Sequence, residues 1–160
     1  MTVAIGKLRC SMRAVTRASV FLFMVLIVLS SQARAADRDA WVGVWYVEVK
    51  EDGDVYGKKY NIRRELIVNR ADGSKVNTFR YYQSNRIVTE VITTYSRWGV
   101  DNGVYWTDCQ AVLHDGAQRA CSAHNEYAVV SVTPREIRYK SKQTGILYAI
   151  QRVTDSFRLP

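Results

Sequence analysis

The sequence predicts an all-β domain, an antiparallel up-and-down barrel of about eight strands. Three observations predict it. Turn pairs recur at short intervals, the segments between them are rich in Val, Ile, Thr, Tyr and Trp, and no ten-residue stretch after the N-terminal leader reads as a helix. Asp-Gly and Asn-Gly pairs favour the positive backbone angles of tight hairpins, so neighbouring strands should pair in sequence order. A meander of that kind removes its own edges by closing. A β-sandwich of two sheets is the alternative that the same spacing permits.

The first 35 residues read as a cleaved secretory signal. Lys7, Arg9, Arg13 and Arg17 are followed by an apolar run from Ala18 to Leu29, and Ala33-Arg34-Ala35 supplies the small residues of a cleavage site. The run is shorter than the roughly 20 residues of a membrane-spanning helix, so no stable membrane span is expected after cleavage. Met12 would give a leader of more usual length than Met1. No cysteine follows the apolar run, which argues against a lipid anchor, and Cys10 would leave with the leader. Residues 36–160 then form one domain, large enough for one core. The whole chain carries +8, but the leader holds five basic residues and no acid. The mature part has 18 basic against 15 acidic residues. That balance, with export to a periplasmic or secreted location, argues against a nucleic-acid partner.

Strands are expected near 41–50, 58–69, 75–83, 86–95, 103–113, 117–131, 135–142 and 145–154. Turns are expected at Glu51-Asp52-Gly53-Asp54, Ala71-Asp72-Gly73-Ser74, Ser84-Asn85, Asp101-Asn102-Gly103, His114-Asp115-Gly116, Thr133-Pro134 and Gln143-Thr144-Gly145. Trp98-Gly99-Val100 is either a ninth strand or a bulged corner. Ile137 and Tyr139 alternate with Glu136, Arg138 and Lys140, and Ile146, Tyr148 and Ile150 share a face that Arg152 continues. In 86–95 the alternation is poor and neither face reads as the interior.

The mature domain opens on Trp41-Val42-Gly43-Val44-Trp45-Tyr46-Val47, apolar on both faces. Gly43 would let a ring or backbone approach closely, and Trp45 has the bulk to plug one end of a barrel. Gly43-Val44-Trp45 resembles the Gly-X-Trp motif on the first strand of lipocalin-like (calycin) barrels. The resemblance touches only the two ends of the chain. It implies that a late basic residue, Arg152, packs over Trp45 as a cation–π pair, with Gly43, Trp45 and Arg152 as structural residues. It also implies a preformed interior that holds a small hydrophobic or aromatic ligand, with Trp45 at the base and Trp106, Tyr139 and Tyr148 in the wall.

Cys109 and Cys121 are the two cysteines of the mature chain and lie symmetrically about Asp115. A three-residue turn at 114–116 would set them opposite each other, and an oxidising compartment would then join them in a disulfide. Their spacing lacks the Cys-X-X-Cys form of redox sites, and adding His114 and His124 matches no common zinc module, so neither a metal nor a cofactor is expected.

Catalysis has little to draw on. The sequence has two histidines, no Gly-X-Ser-X-Gly elbow and no phosphate-cradling glycine loop. Ser122 and His124 are too close in sequence to suggest a triad. Asp108, beside Trp106, reads as a satisfied polar group or a ligand contact. Aromatic residues are the compositional signature, with four Trp, ten Tyr and two Phe after the leader. Such residues suit a barrel core, a ligand pocket or a protein interface. Tyr81-Tyr82, with Arg80 and Arg86 nearby, is a possible exposed recognition patch, because neighbouring strand residues face opposite ways. Two functions therefore compete: an exported binder of a small ligand, and a filled barrel that binds an envelope protein as an assembly factor or as an inhibitor of an extracellular enzyme.

Overall fold

Four hairpins turn on two-residue corners with both backbones at positive φ: Tyr56-Gly57, Ser84-Asn85, Asn102-Gly103 and Asp115-Gly116. This is the mirror-image turn whose twist matches that of paired strands. The computed structural model describes residues 38–89 and 91–160. The expected leader, with Cys10 and both candidate start methionines, lies outside the described residues. Among the described residues no helix is long and apolar enough to cross a membrane.

The strands are β1 (Gly43–Val55), β2 (Lys58–Asn69), β3 (Ser74–Gln83), β4 (Arg86–Ile87), β5 (Ile92–Asp101), β6 (Val104–His114), β7 (Ala117–Ala120), β8 (His124–Val132), β9 (Glu136–Ser141) and β10 (Leu147–Arg152). All pairings are antiparallel, in the order β2-β1-β10-β9-β8-β6-β5-β3, and a further β2–β3 pairing closes the ring. The result is an eight-stranded up-and-down barrel, not a sandwich. β4 and β7 are short additions that pair with β3 and β6.

Three expected elements have different limits. The predicted turn at residues 51–54 lies inside β1, which continues to the Tyr56-Gly57 corner. A register shift falls there, between Lys50 and Gly53. The Tyr60 ring crosses Gly53 so closely that a Cβ would lie 2.5 Å from it. The predicted strand 86–95 breaks after Ile87, and the chain re-enters the barrel at Ile92, so Trp98-Gly99-Val100 belongs to β5. The predicted strand 117–131 breaks at residues 121–123, where the chain leaves the β6–β7 hairpin to pair lower on β6 as β8.

That break changes how the cysteines meet. The Asp115-Gly116 corner has two residues, so His114 pairs with Ala117 and the amide of Cys121 donates to the carbonyl of Gln110, 3.2 Å away. Cys109 is therefore not directly opposite Cys121, as a three-residue turn would require. The disulfide forms all the same, with Cα atoms 5.5 Å apart. Replacing both cysteines by serine is expected to lower stability by about 3 kcal/mol on the chain-entropy scale for a loop this short. Urea unfolding of the oxidised protein and the double variant checks it, and equal midpoints would contradict it.

The closed end of the barrel is built from rings. Residues 38–41 form one helical turn that delivers Trp41 into the interior. Trp41 and Trp45 are fully buried with Ile67, Trp98, Tyr105, Ile137 and Ile150. Trp41 stacks on Tyr105 with centroids 4.3 Å apart, and Trp45 Nε1 donates to the Trp41 carbonyl at 2.8 Å. Arg152 lies over the Trp45 ring, its guanidinium carbon 4.2 Å from the centroid. The same guanidinium donates to the carbonyls of Pro134, Val42 and Ala40. Gly43 makes room for it, since a Cβ at that position would lie 2.5 Å from Arg152 Nη1.

Candidate ligand-binding cavity

Above this plug the interior is hollow. Residues of seven strands, with Ala123 beside them, enclose a cavity of about 270 Å³. β2 supplies Arg63 and Glu65, β3 supplies Lys75, Asn77 and Phe79, and β5 supplies Thr94 and Ser96. The other side is mainly aromatic: Tyr127 of β8, Tyr139 of β9 and Tyr148 of β10, with Thr107 and Cys109 of β6 between the two halves. The three tyrosines form a continuous array. Tyr139 lies near-parallel to Tyr148 at 5.3 Å, and Tyr127 meets Tyr139 edge-on at 5.1 Å.

The polar half contains an ion triad. Arg63 Nε donates to Glu51 at 2.9 Å, and Arg63 Nη1 donates to Glu65 at 3.2 Å. Burial works against the Arg63 charge, but the two carboxylates outweigh it and raise its pKa above the ordinary value. The second oxygen of Glu65 accepts from Asn77 Nδ2. Lys75 is different. Only 6% of it is exposed, its Nζ lies 5.1 Å from the Tyr105 ring centroid, and it makes no hydrogen bond or ion pair with a described residue. Burial lowers its pKa to about 8, against the pull of Glu65. Burial also raises the tyrosines: Tyr127 to about 12, and Tyr105 and Tyr139 well above the ordinary range.

Above the cavity, Tyr56 at the tip of the β1–β2 hairpin stacks on His114 at the end of β6, 4.1 Å between centroids. β1 and β6 lie four places apart around the eight-stranded ring, so these tips meet across the mouth. Tyr81 lies in the mouth, 4.7 Å from Tyr60, and burial raises its pKa to about 12.

The expected site residues divide as follows. Tyr139 and Tyr148 line the cavity, and Trp45 sits in the plug below it. Trp106 does not line the interior. On β6 the inward residues are Tyr105, Thr107 and Cys109, and the Trp106 ring lies against Gly99 on the outer face. Tyr81-Tyr82 is not an exposed patch. Tyr81 faces the mouth, whereas Tyr82 is turned outward but only 4% exposed. Its hydroxyl donates to the Pro160 carbonyl, and Arg80 donates to the carbonyls of Leu159 and Pro160 at 3.0 Å. The C-terminal segment thus covers that surface, with Phe157 packed 5.2 Å from Tyr46. Asp108 lies on the outer face in an exposed ion-pair chain with His124, Glu126 and Lys142. The two carboxylates raise the His124 pKa. Among the described residues no cluster of His, Cys, Asp and Glu is arranged to hold a metal.

The sequence analysis does not single out Arg63, Glu65, Lys75 and Asn77. Their strands also carry Ile62, Leu66, Val68 and Val76, and alternation alone gives no reason to turn the polar side chains rather than these inward. Tyr127 was missed too, although it is an aromatic in a predicted strand. Comparison with known proteins finds no matching family model and no matching curated protein. What the fold and cavity define is a class: an eight-stranded up-and-down β-barrel, plugged at one end and hollow above the plug, with an interior half aromatic and half charged.

Proposed function

We propose that this protein binds a small aromatic molecule inside its barrel and acts as a carrier or store for it outside the cytoplasm. The observation that carries the reading is the cavity itself. A cavity of about 270 Å³ beside three mutually packed tyrosines, in a barrel whose base is densely filled, is of a size to take a small ligand. Its volume suits one or two rings better than a long-chain lipid. The polar half departs from the purely hydrophobic ligand that the sequence suggests. The disulfide supports an extracytoplasmic location, because such bonds persist in oxidising compartments. The lipocalin-like kinship implied by Gly43, Trp45 and Arg152 is part of the same proposal, supported by the arginine packed over the tryptophan. The competing envelope-protein reading loses the surface that motivated it, since Tyr82 is covered.

Calorimetric titration of the protein, expressed from its full-length gene, with indole and with 1-naphthol tests the reading. Saturable one-to-one binding is expected at a Kd of about 10–100 μM, roughly −5.5 to −7 kcal/mol. Ser96→Phe, which fills the cavity from β5, is expected to abolish the signal with the fold intact. No saturation by either probe, or the same affinity in Ser96→Phe, would sink the idea.

A further inference from the structure

We propose that the ligand of this cavity carries a single carboxylate, and that Lys75 is the group that receives it. The inference rests on the barrel interior being the binding site, and it goes further by naming the ligand class: small aromatic monocarboxylic acids.

Lys75 presents three N–H donors and a positive charge, and folding leaves only 6% of the residue exposed, at the wall of the cavity. Buried charges in proteins are paired or hydrogen-bonded as a rule, because an unpaired one is strongly disfavoured. Here the nearby acid is already engaged. One oxygen of Glu65 accepts from Arg63 and the other from Asn77. Arg63 in turn is held between Glu51 and Glu65, so it has no free charge to offer a ligand. Among the described residues of the cavity wall, Lys75 is therefore the cation with no ion-pair or hydrogen-bond partner, Glu65 acting on it only at longer range. It stands over the Tyr105 ring, so an acid bound there would lie with its aromatic part toward Tyr127, Tyr139 and Tyr148.

Among the charges that line the cavity, Arg63 and Glu65 offset each other and Lys75 is left over. Glu51 stands outside the lining and is partly exposed, so the lining matches one negative charge. A dianion such as a phosphate ester would meet one free ammonium and the Glu65 carboxylate, leaving a negative charge uncompensated in a desolvated space. A second buried atom also awaits a partner. Asn77 Oδ1 has no donor among the described residues, and Asn77 lines the same cavity, so a ligand hydroxyl would be accommodated. This makes 4-hydroxycinnamate a suitable probe and 4-hydroxycinnamamide its uncharged match.

The test is a calorimetric comparison of these two probes on the full-length expressed protein, on Lys75→Met and on Lys75→Gln. At pH 7 the wild type is expected to prefer the acid by at least about tenfold, as one charge-assisted contact allows. Both variants are expected to lose that preference and still bind the amide. The preference should also fall as pH rises through about 8, where the free Lys75 loses its proton. Other groups facing it do not titrate in that interval: Arg63 stays charged, Tyr105 and Tyr139 keep their protons, and Tyr127 titrates near 12. Glu65, which lines the cavity, and Glu51, which holds Arg63, are the carboxylates on that side. Equal affinity for acid and amide in the wild type overturns this inference and leaves interior binding standing. Retention of the preference in both variants overturns it as well. Failure of both probes, together with indole and 1-naphthol, overturns interior binding and this inference with it.

Discussion

Lys75→Met is expected to make the ligand-free protein more stable by about 3 kcal/mol at pH 7. The reason is the linkage between proton affinity and folding. Burial lowers the Lys75 pKa from its ordinary 10.5 to about 8, so the unfolded chain holds this proton more tightly than the folded one. At about 1.4 kcal/mol per pH unit, the charged folded state is disfavoured by roughly that amount. The full penalty applies below pH 8. It is relieved as pH rises from about 8 to 10.5, so wild-type stability relative to the variant should climb through that window. Methionine has a similar length and no charge, and it keeps contact with the Tyr105 ring. Urea unfolding of both proteins at pH 7 and at pH 10.5 checks this, since the other titrations are common to the two. A less stable variant at pH 7, or an equal gap at both pH values, would refute it. A residue that lowers the stability of the empty protein and lacks a partner within it is what a binding site is expected to contain.

Trp45→Ala is expected to cost about 4 kcal/mol, close to the whole stability of many small domains. Trp45 is fully buried in the plug. Its removal leaves a ring-sized void, breaks the bond from Nε1 to the Trp41 carbonyl, and takes the aromatic face from beneath Arg152. The helical turn at residues 38–41 loses one of its tethers in the same step, keeping the bonds from Asn69 to the Trp41 carbonyl and from Arg152 to the Ala40 carbonyl. Trp106→Ala is the internal control. That ring lies half-buried on the outer face against Gly99, and its loss is expected to cost about 1 kcal/mol. Chemical denaturation of the two variants side by side separates the predictions, and similar losses would show that the inside and outside of these strands have been wrongly assigned.

The contrast between those two tryptophans shows how far the sequence could be read. The β content, the hairpin order and the cysteine pairing were legible, because Asn102-Gly103, Asp115-Gly116 and the β-branched runs act locally. The inward face of β9 was legible as well, since Ile137 and Tyr139 alternate with charged neighbours. The wall of the cavity was not. Trp106 looks like a core residue from composition alone, but the pairing of Gly99 with Trp106 places both on the outer face. Tyr82 looks free until Leu159 and Pro160, far away in sequence, are laid across it and Arg80.

The largest difference turns on one irregularity. At the Tyr56-Gly57 corner, Val55 pairs with Lys58, and that register, carried unchanged down the hairpin, would set Trp45 opposite Val68. Leu66 and Val68 would then face the interior, as their hydrophobicity suggests. The shift between Lys50 and Gly53 moves the register by one residue, so Trp45 meets Ile67, Val47 meets Glu65, and Val49 meets Arg63. A slip of one residue exchanges the two faces of a strand. What the sequence determined by itself is therefore the set of strands, their order and the aromatic stock of the interior, because propensity and turn chemistry act over a few residues. Only the tertiary structure decided that Arg63, Glu65 and Lys75 point inward. The bulge sets the facing of β2 and, through the β2–β3 pairing that closes the ring, of β3, and both depend on contacts between different parts of the chain.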